Sequence, residues 1–218
     1  MIFSSLFLKK NKKVIAFSFD DGPSRQYTKK ILNILKRNNA KASFFVLGSK
    51  IEEYSDVLKE MIDWGNEIGN HSYNHEDVEE LTYDELYKSI KITQDLIHKS
   101  IDYNPKLVRF PGGNTNSDCN KIANKLNLSI VKWSIDSCDW FIKDGSVICD
   151  NVLNELYEGS IILFHDIYPQ TVDVVKKLLK VLNKKGYQVT TISEMFEYYG
   201  VELKTGKQYS EVIDNEKN

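Results

Sequence analysis

The sequence predicts an α/β fold in which a parallel sheet, covered by helices, curls toward a barrel. Three observations lead there. Apolar runs of strand length alternate with stretches whose apolar residues recur at helical spacing. The conspicuous acidic, basic and imidazole residues fall just after several different strands, whose carboxyl ends meet at one mouth when a sheet closes. Finally, 218 residues, 41% hydrophobic and 11% aromatic, suit one domain with a substantial core. About seven strands are expected, and they could also remain an open, doubly wound sheet.

The first strand is residues 14–19 (VIAFSF), ending at Asp20 and Asp21; Ile31, Ile34 and Leu35 then mark a helix. Residues 42–47 (ASFFVL) form the second strand, closed by Gly48. Tyr54, Val57, Leu58, Met61 and Ile62 stripe the next helix, which Gly65 stops. A short strand at 67–70 leads to His71. Thr82 with Glu85 makes a capping box for a helix carrying Leu86, Ile90 and Ile97 on one face. Strand 107–110 is stopped by Pro111 and two glycines. A helix around Ile122, Ala123 and Leu126 precedes a single strand at 129–135. Helix 147–156, strand 160–164, a helix through Val175, Leu178, Leu179 and Leu182, strand 187–190 and a short helix at 193–198 complete the pattern. Residues 1–13 are expected to be an N-terminal extension, 14–199 the catalytic domain, and 200–218 a loosely held polar tail.

The formal net charge of -2, with basic and acidic residues interspersed, gives no general attraction to nucleic acid or to an anionic membrane. Cys119, Cys138 and Cys149 show no CxxC spacing and indicate neither a disulfide framework nor a zinc knuckle. The apolar stretch 2–8 is short for an export signal, its charges follow it, and no stretch is long enough to span a bilayer.

Five clusters carry the chemistry. Ser18-Phe19-Asp20-Asp21-Gly22-Pro23 puts two carboxylates at a strand end, although Asp and Gly are also ordinary turn residues. His71-Ser72-Tyr73-Asn74-His75 spaces two histidines four apart, which on one helical turn would let them share a metal. The fourth histidine, His98, lies on a helix face with Lys91 and Gln94 and reads as surface. Arg109-Phe110-Pro111-Gly112-Gly113 joins a cation able to orient a carboxylate to a turn whose backbone N–H groups can approach a ligand. Asp136-Ser137-Cys138-Asp139-Trp140 and Leu163-Phe164-His165-Asp166 end two further strands. Each cluster alone has an equally plain structural explanation.

In this order, the clusters resemble the polysaccharide deacetylases with a NodB homology domain, carbohydrate esterase family 4. That family's T/S-F-D-D-G-P, H-S/T-x-x-H, R-x-P-x-G, D-x-x-D-W and L-x-H elements are all present between Ser18 and His165. The resemblance implies a distorted, incomplete (β/α) barrel and hydrolytic N-deacetylation of an N-acetylglucosamine-containing polysaccharide, peptidoglycan or a chitin-like oligomer. It implies Asp21, His71 and His75 as ligands of a divalent metal; this set suits Zn²⁺ but also Co²⁺, Mn²⁺, Fe²⁺ or Ni²⁺. Asp20 would be the general base, held by Arg109. His165 would be the general acid, kept protonated by Asp139. Trp140 and Leu163 would wall the acetyl pocket, and the Gly112 backbone N–H would face the oxyanion. Gly112 departs from the family, where many peptidoglycan and chitin deacetylases carry Tyr, which leaves the sugar groove without that wall. A monomer acting on polysaccharide at the cell surface or outside the cell is expected. The rival readings are an O-acetyl esterase on xylan, a small cyclic amide hydrolase, and an idle glycan-binding module.

Overall fold

A computed structural model describes residues 12–212. The apolar stretch 2–8 and residues 213–218 lie outside the described residues. The strands are β1 (Lys13–Gly22), β2 (Ser43–Val46), β3 (Glu67–Asn70), β4 (Leu107–Val108), β5 (Ser129–Val131), β6 (Ile135–Asp136), β7 (Ile161–His165), β8 (Tyr187–Thr190) and β9 (Gln208–Tyr209). The helices are α1 (Thr28–Arg37), α2 (Ser55–Asp63), α3 (Tyr83–Ile101), α4 (Ser117–Lys125), α5 (Gly145–Glu155), α6 (Pro169–Lys184) and α7 (Ile192–Tyr198).

The strands form one parallel sheet in the order β6-β7-β1-β2-β3-β4-β5-β9, with β8 beside the first half of β1. An antiparallel bridge joins Ser160, just before β7, to Glu211, just after β9. The two ends of the strand order thus approach each other without pairing fully. The sheet is a curled, incomplete barrel, as expected.

Strand alternation sorts the residues into layers. Ile15, Phe17 and Phe19 of β1 face outward and pack with Ile31, Leu32 and Leu35 of α1 and Val174, Val175 and Leu178 of α6. Each such buried side chain contributes ~1.5–3 kcal/mol relative to exposure. Phe19 stacks on Phe44 and on Phe164, tying β1 to β2 and β7. Val14 and Ala16 face inward with Phe45, Leu107, Val131 and Ile161, and Ile192, Met195 and Phe196 of α7 cover this inner face. Val108 and Ile130 meet Leu86 and Ile90 of α3 and Ile122 of α4 in a third cluster. The capping box forms: the Glu85 N–H donates to Thr82 Oγ1 (3.4 Å), and the Thr82 N–H donates to Glu85 Oε2 (2.9 Å).

The structure corrects two expectations. The single strand at 129–135 is two: β5 pairs with β4 and β9, whereas β6 pairs with β7. Arg109 donates to the carbonyls of Val131 (3.0 Å) and Lys132 (2.7 Å), and the Ser134 N–H turns to Ile161 O (3.0 Å). The backbone therefore changes partners between the two strands. The tail is not loose up to residue 212. β9 extends the sheet beside β5, and Val212 is buried, its N–H donating to the Gly159 carbonyl at 2.9 Å while the Gly159 N–H donates to the Val14 carbonyl.

Candidate active site

Alternation along β1 turns Asp20 into the barrel mouth and should turn Asp21 out. It does not, because the pairing with β2 shifts register between Phe19 and Gly22 and Asp21 adopts φ +70°. This irregularity aims two consecutive carboxylates at one place. Asp21 Oδ1 lies 3.4 Å from His71 Nε2 and 3.5 Å from His75 Nε2.

The histidines do not sit on a helical turn. His71 follows β3, and an irregular turn with Ser72 at φ +67° and His75 at φ +58° brings the second ring back beside the first, their centroids 5.2 Å apart. Local hydrogen bonds build this turn. Asn70 Oδ1 accepts from the Ser72 N–H (3.0 Å), and Ser72 Oγ accepts from the His75 N–H (3.1 Å). Ser89 of α3 accepts from the Tyr73 N–H (2.8 Å) and donates to Glu76 (3.1 Å). On the other side, the N–H groups of Gly48 and Ser49 donate to the carbonyls of Ser72 and Tyr73. Any side chain at Gly48 would strike Thr93 and Tyr73.

One ligand atom each from Asp21, His71 and His75 lies within 4.8 Å of the others. A divalent cation fits this set. Asp21 Oδ1 is buried without a hydrogen-bond partner, a costly state for an isolated carboxylate oxygen. His71 Nδ1 is 2.7 Å from the Arg109 carbonyl, which can only accept; Nδ1 therefore carries the proton, and a neutral ring offers the Nε2 lone pair. When no cation is bound and the rings carry protons instead, burial raises the Asp21 pKa, but the imidazolium of His71 above all, followed by those of His165 and His75, lowers it to about 2.

Beside this cluster, Asp20 Oδ2 is 3.6 Å from His71 Nε2, and Oδ1 accepts from Arg109 Nη1 at 2.7 Å. Arg109 is fully buried, its guanidinium 4.1 Å from the Phe45 ring centroid and 5.5 Å from that of Trp133. Two backbone carbonyls and one carboxylate account for its charge and fix its plane.

Leu163 and His165 share the inner face of β7 by alternation. His165 Nδ1 is 2.8 Å from Asp139 Oδ1, and the His165 N–H donates to Asp139 Oδ2, also 2.8 Å. Thr171 Oγ1 donates to the same Oδ2 at 2.5 Å. Burial opposes protonation of the imidazole, but the hydrogen bond and charge of Asp139, then Asp20 and Asp21, raise its pKa to about 9. Trp140 stands half-exposed next to Asp139, and Leu163 is buried. Gly112 sits in an exposed turn at φ +63°, a conformation glycine adopts freely.

All ten residues singled out from the sequence thus fall at or around the barrel mouth. Several supporting residues were not singled out: Ser89 and Glu76 behind the histidine turn, Thr171 behind Asp139, Trp133 beside Arg109, and Lys50, whose ammonium donates to the Asp21 carbonyl (2.7 Å). Asp166, noted only as the neighbour of His165, is buried, with one oxygen hydrogen-bonded by Thr28 and the other without a partner. Burial pushes its pKa up to about 7 against the Thr28 hydrogen bond. A side chain at Gly22 would collide with this carboxyl, so the glycine after the two acids is required by space.

Residues 8–131 match the family model described as polysaccharide deacetylase. The peptidoglycan-N-acetylmuramic acid deacetylase PdaC of Bacillus subtilis is 40% identical over 187 residues, which cover 86% of this chain but 39% of that protein. The peptidoglycan-N-acetylglucosamine deacetylase PgdA of Listeria monocytogenes is 35% identical over 206 residues, 94% of this chain and 43% of that one. The chain thus spans about two-fifths of the length of these two relatives. The solved structure of B. subtilis PdaC matches with a TM-score of 0.83 at 39% identity, covering 87% of this chain and 93% of that one. A family 4 acetyl xylan esterase from Clostridium thermocellum, solved with a cobalt ion, matches with a TM-score of 0.86 at 29% identity, covering 92% and 98%. With the curled parallel sheet already described, these likenesses establish that the chain belongs to the polysaccharide deacetylase family.

Proposed function

We propose that this chain removes N-acetyl groups by hydrolysis from an N-acetylglucosamine-containing polysaccharide, peptidoglycan or a chitin-like oligomer, releasing acetate. The observation that carries the reading is the convergence of a cation-binding triad, an acid held by a buried arginine and an imidazole held by a buried carboxylate. Asp21, His71 and His75 would hold a divalent metal, zinc first and Co, Mn, Fe or Ni as alternatives. Such an ion supplies positive charge that polarises an amide carbonyl.

Asp20 accepts the proton of the attacking water, and its bond to Arg109 points the free oxygen toward the mouth. The Gly112 N–H faces the oxygen that gains negative charge, a contribution of about 3–4 kcal/mol for a well-placed donor. His165 delivers a proton to the departing amine, and Asp139 keeps that proton on the ring. Trp140 and Leu163 wall the space for the acetyl methyl. The substrate is an extended glycan; the protein works as a monomer and meets its substrate at the cell surface or outside the cell. No helix among the described residues is long and apolar enough to cross a membrane.

The likeness to an acetyl xylan esterase supports a second reading, O-deacetylation at the same site. Incubation with chitooligosaccharides, peptidoglycan and acetylated xylan separates the two. New free amine with acetate from either of the first two supports the proposal. Acetate from xylan alone, or turnover of a cyclic amide alone, overturns it.

A further inference from the structure

Asp166 directly follows the proposed acid, yet the alternation carried on from β7 turns it the other way, to the outer side with Phe164. The parallel register that sets Asp20 beside His165 brings the two strand ends on together. Asp166 therefore lies against the loop that leaves β1 through Asp21, Gly22 and Pro23. Its two oxygens have different surroundings. Oδ2 accepts from Thr28 Oγ1 at the start of α1, and the same hydroxyl accepts from the Ser24 N–H (2.7 Å). Oδ1 is buried with no hydrogen-bond partner and bears on Gly22, where a Cβ would overlap the carboxyl. Burying an unpartnered oxygen subtracts from stability. Packing of the fold alone does not explain an acid at this place.

The loop that Asp166 touches is one that must be held. Asp21 reaches the two histidines with its backbone left-handed at φ +70°, a conformation that a residue with a side chain adopts at a cost. The glycine after it has the freest backbone of any residue. On the β2 side of β1, Lys50 donates to the Asp21 carbonyl (2.7 Å) and the Leu47 N–H to the Gly22 carbonyl (3.0 Å). On the β7 side stands Asp166, itself pinned by Thr28. With that side empty, Gly22 has room to swing and Asp21 a route out of its left-handed state. We infer that Asp166 is a positioning residue for the metal site: with Thr28 it backs Gly22 and keeps Asp21 turned to His71 and His75. Asp166 is not among the three groups that converge there and acts through Asp21. This rests on the ligand set of the proposed function and deepens it, by naming what sets how tightly the cation is held.

The test titrates zinc ions into the metal-free protein against a competing chelator, at a temperature where each variant is folded. Chemical denaturation, and amine release from chitooligosaccharides and peptidoglycan, are followed for the same proteins. Asp166→Ala should weaken zinc binding by about 10- to 100-fold, the usual scale for a residue that orients a metal ligand. Asp166→Asn keeps an oxygen for Thr28 and the bulk against Gly22, and should recover most of the affinity. Thr28→Val removes the hydroxyl but leaves the carboxyl, and should fall between the unaltered protein and Asp166→Ala. Val212→Asp, which loses stability at the other end of β1, should bind zinc as the unaltered protein does. Zinc affinity unmoved in both Asp166→Ala and Thr28→Val, or in the latter alone where the former does not fold, overturns the inference. So does a loss in Asp166→Asn or in Val212→Asp as large as that in Asp166→Ala. Zinc affinity that follows Asp166 without any amine release from the unaltered protein leaves the positioning role standing and removes the deacetylase reading. Amine release with zinc affinity indifferent to Asp166 does the reverse.

Discussion

Asp139 grips His165 at two points, taking the backbone N–H on one oxygen and the imidazole Nδ1 on the other, each at 2.8 Å. The ring is thereby oriented, and its charged form is favoured, by a residue twenty-six positions away in the chain. One consequence concerns pH. Because the His165 pKa is raised to about 9, the protonated acid persists through neutrality, and activity should decline only as pH rises through that value. The same shift makes the pair's contribution to stability complete below the ordinary imidazole range near 6.5 and lost as pH rises through about 9. In Asp139→Asn the alkaline limb of the activity profile should move down by roughly one to two pH units. A limb that stays in place would mean another group protonates the amine.

Asp21→Ala, His71→Ala and His75→Ala should each lose bound metal and activity together, since three protein ligands are the minimum for a catalytic site. Metal analysis of the purified variants alongside amine release checks this. Full occupancy with normal turnover in any one of them would strike that residue from the ligand set.

Asp20→Asn should behave differently. It keeps the shape of the side chain, and Arg109 retains two carbonyl partners. The metal should stay, while turnover falls by about 10²–10⁴-fold with loss of the proton acceptor. Metal lost along with activity would make Asp20 a ligand.

Arg109→Met should be costly for the fold itself. It leaves the Asp20 carboxylate buried without its cation and frees the carbonyls of Val131 and Lys132. A loss of about 3–5 kcal/mol in chemical denaturation is expected. A change below about 1 kcal/mol would show that the pair contributes little to stability.

Val212→Asp tests the seam between β9 and β7. Val212 packs with Val14 and Ile161 and bonds Gly159 through the backbone. A buried carboxylate there should lower the melting temperature markedly at neutral pH, with part of the loss recovered at acid pH as it protonates. Equal melting temperatures at neutral pH would return this segment to the status of a loose tail.

Much of this was legible in the sequence because it is periodic. The alternation of Ile15, Phe17 and Phe19 with Val14, Ala16 and Ser18 declares β1, and Asp20 continues its inner row. Asp21 breaks that row through a register shift and a left-handed backbone that no spacing announces. The four-residue interval from His71 to His75 suggested a helical turn, yet the rings meet through hydrogen bonds to Ser72, Asn70 and Ser89. The division of β5 from β6 is equally silent, because the guanidinium that takes the carbonyls there comes from another strand end. Thr171 and Asp166 were passed over for the same reason. Their partners, Asp139 and Thr28, are supplied across the fold, and only the assembled barrel shows that they are buried together.

The central place of β1 also shapes how the molecule forms. Its neighbours β7 and β8 arrive late in the chain; Ser18 donates to Ile162, 144 positions away. Until those partners are synthesised, the edge of β1 stands open with Phe17 and Phe19 uncovered on that side. Loops of that length close slowly, and an unpaired apolar strand is the surface through which growing chains stick to one another. The yield of native protein should therefore respond more to expression temperature and to chaperones that shield nascent strands than to changes in the outer helices.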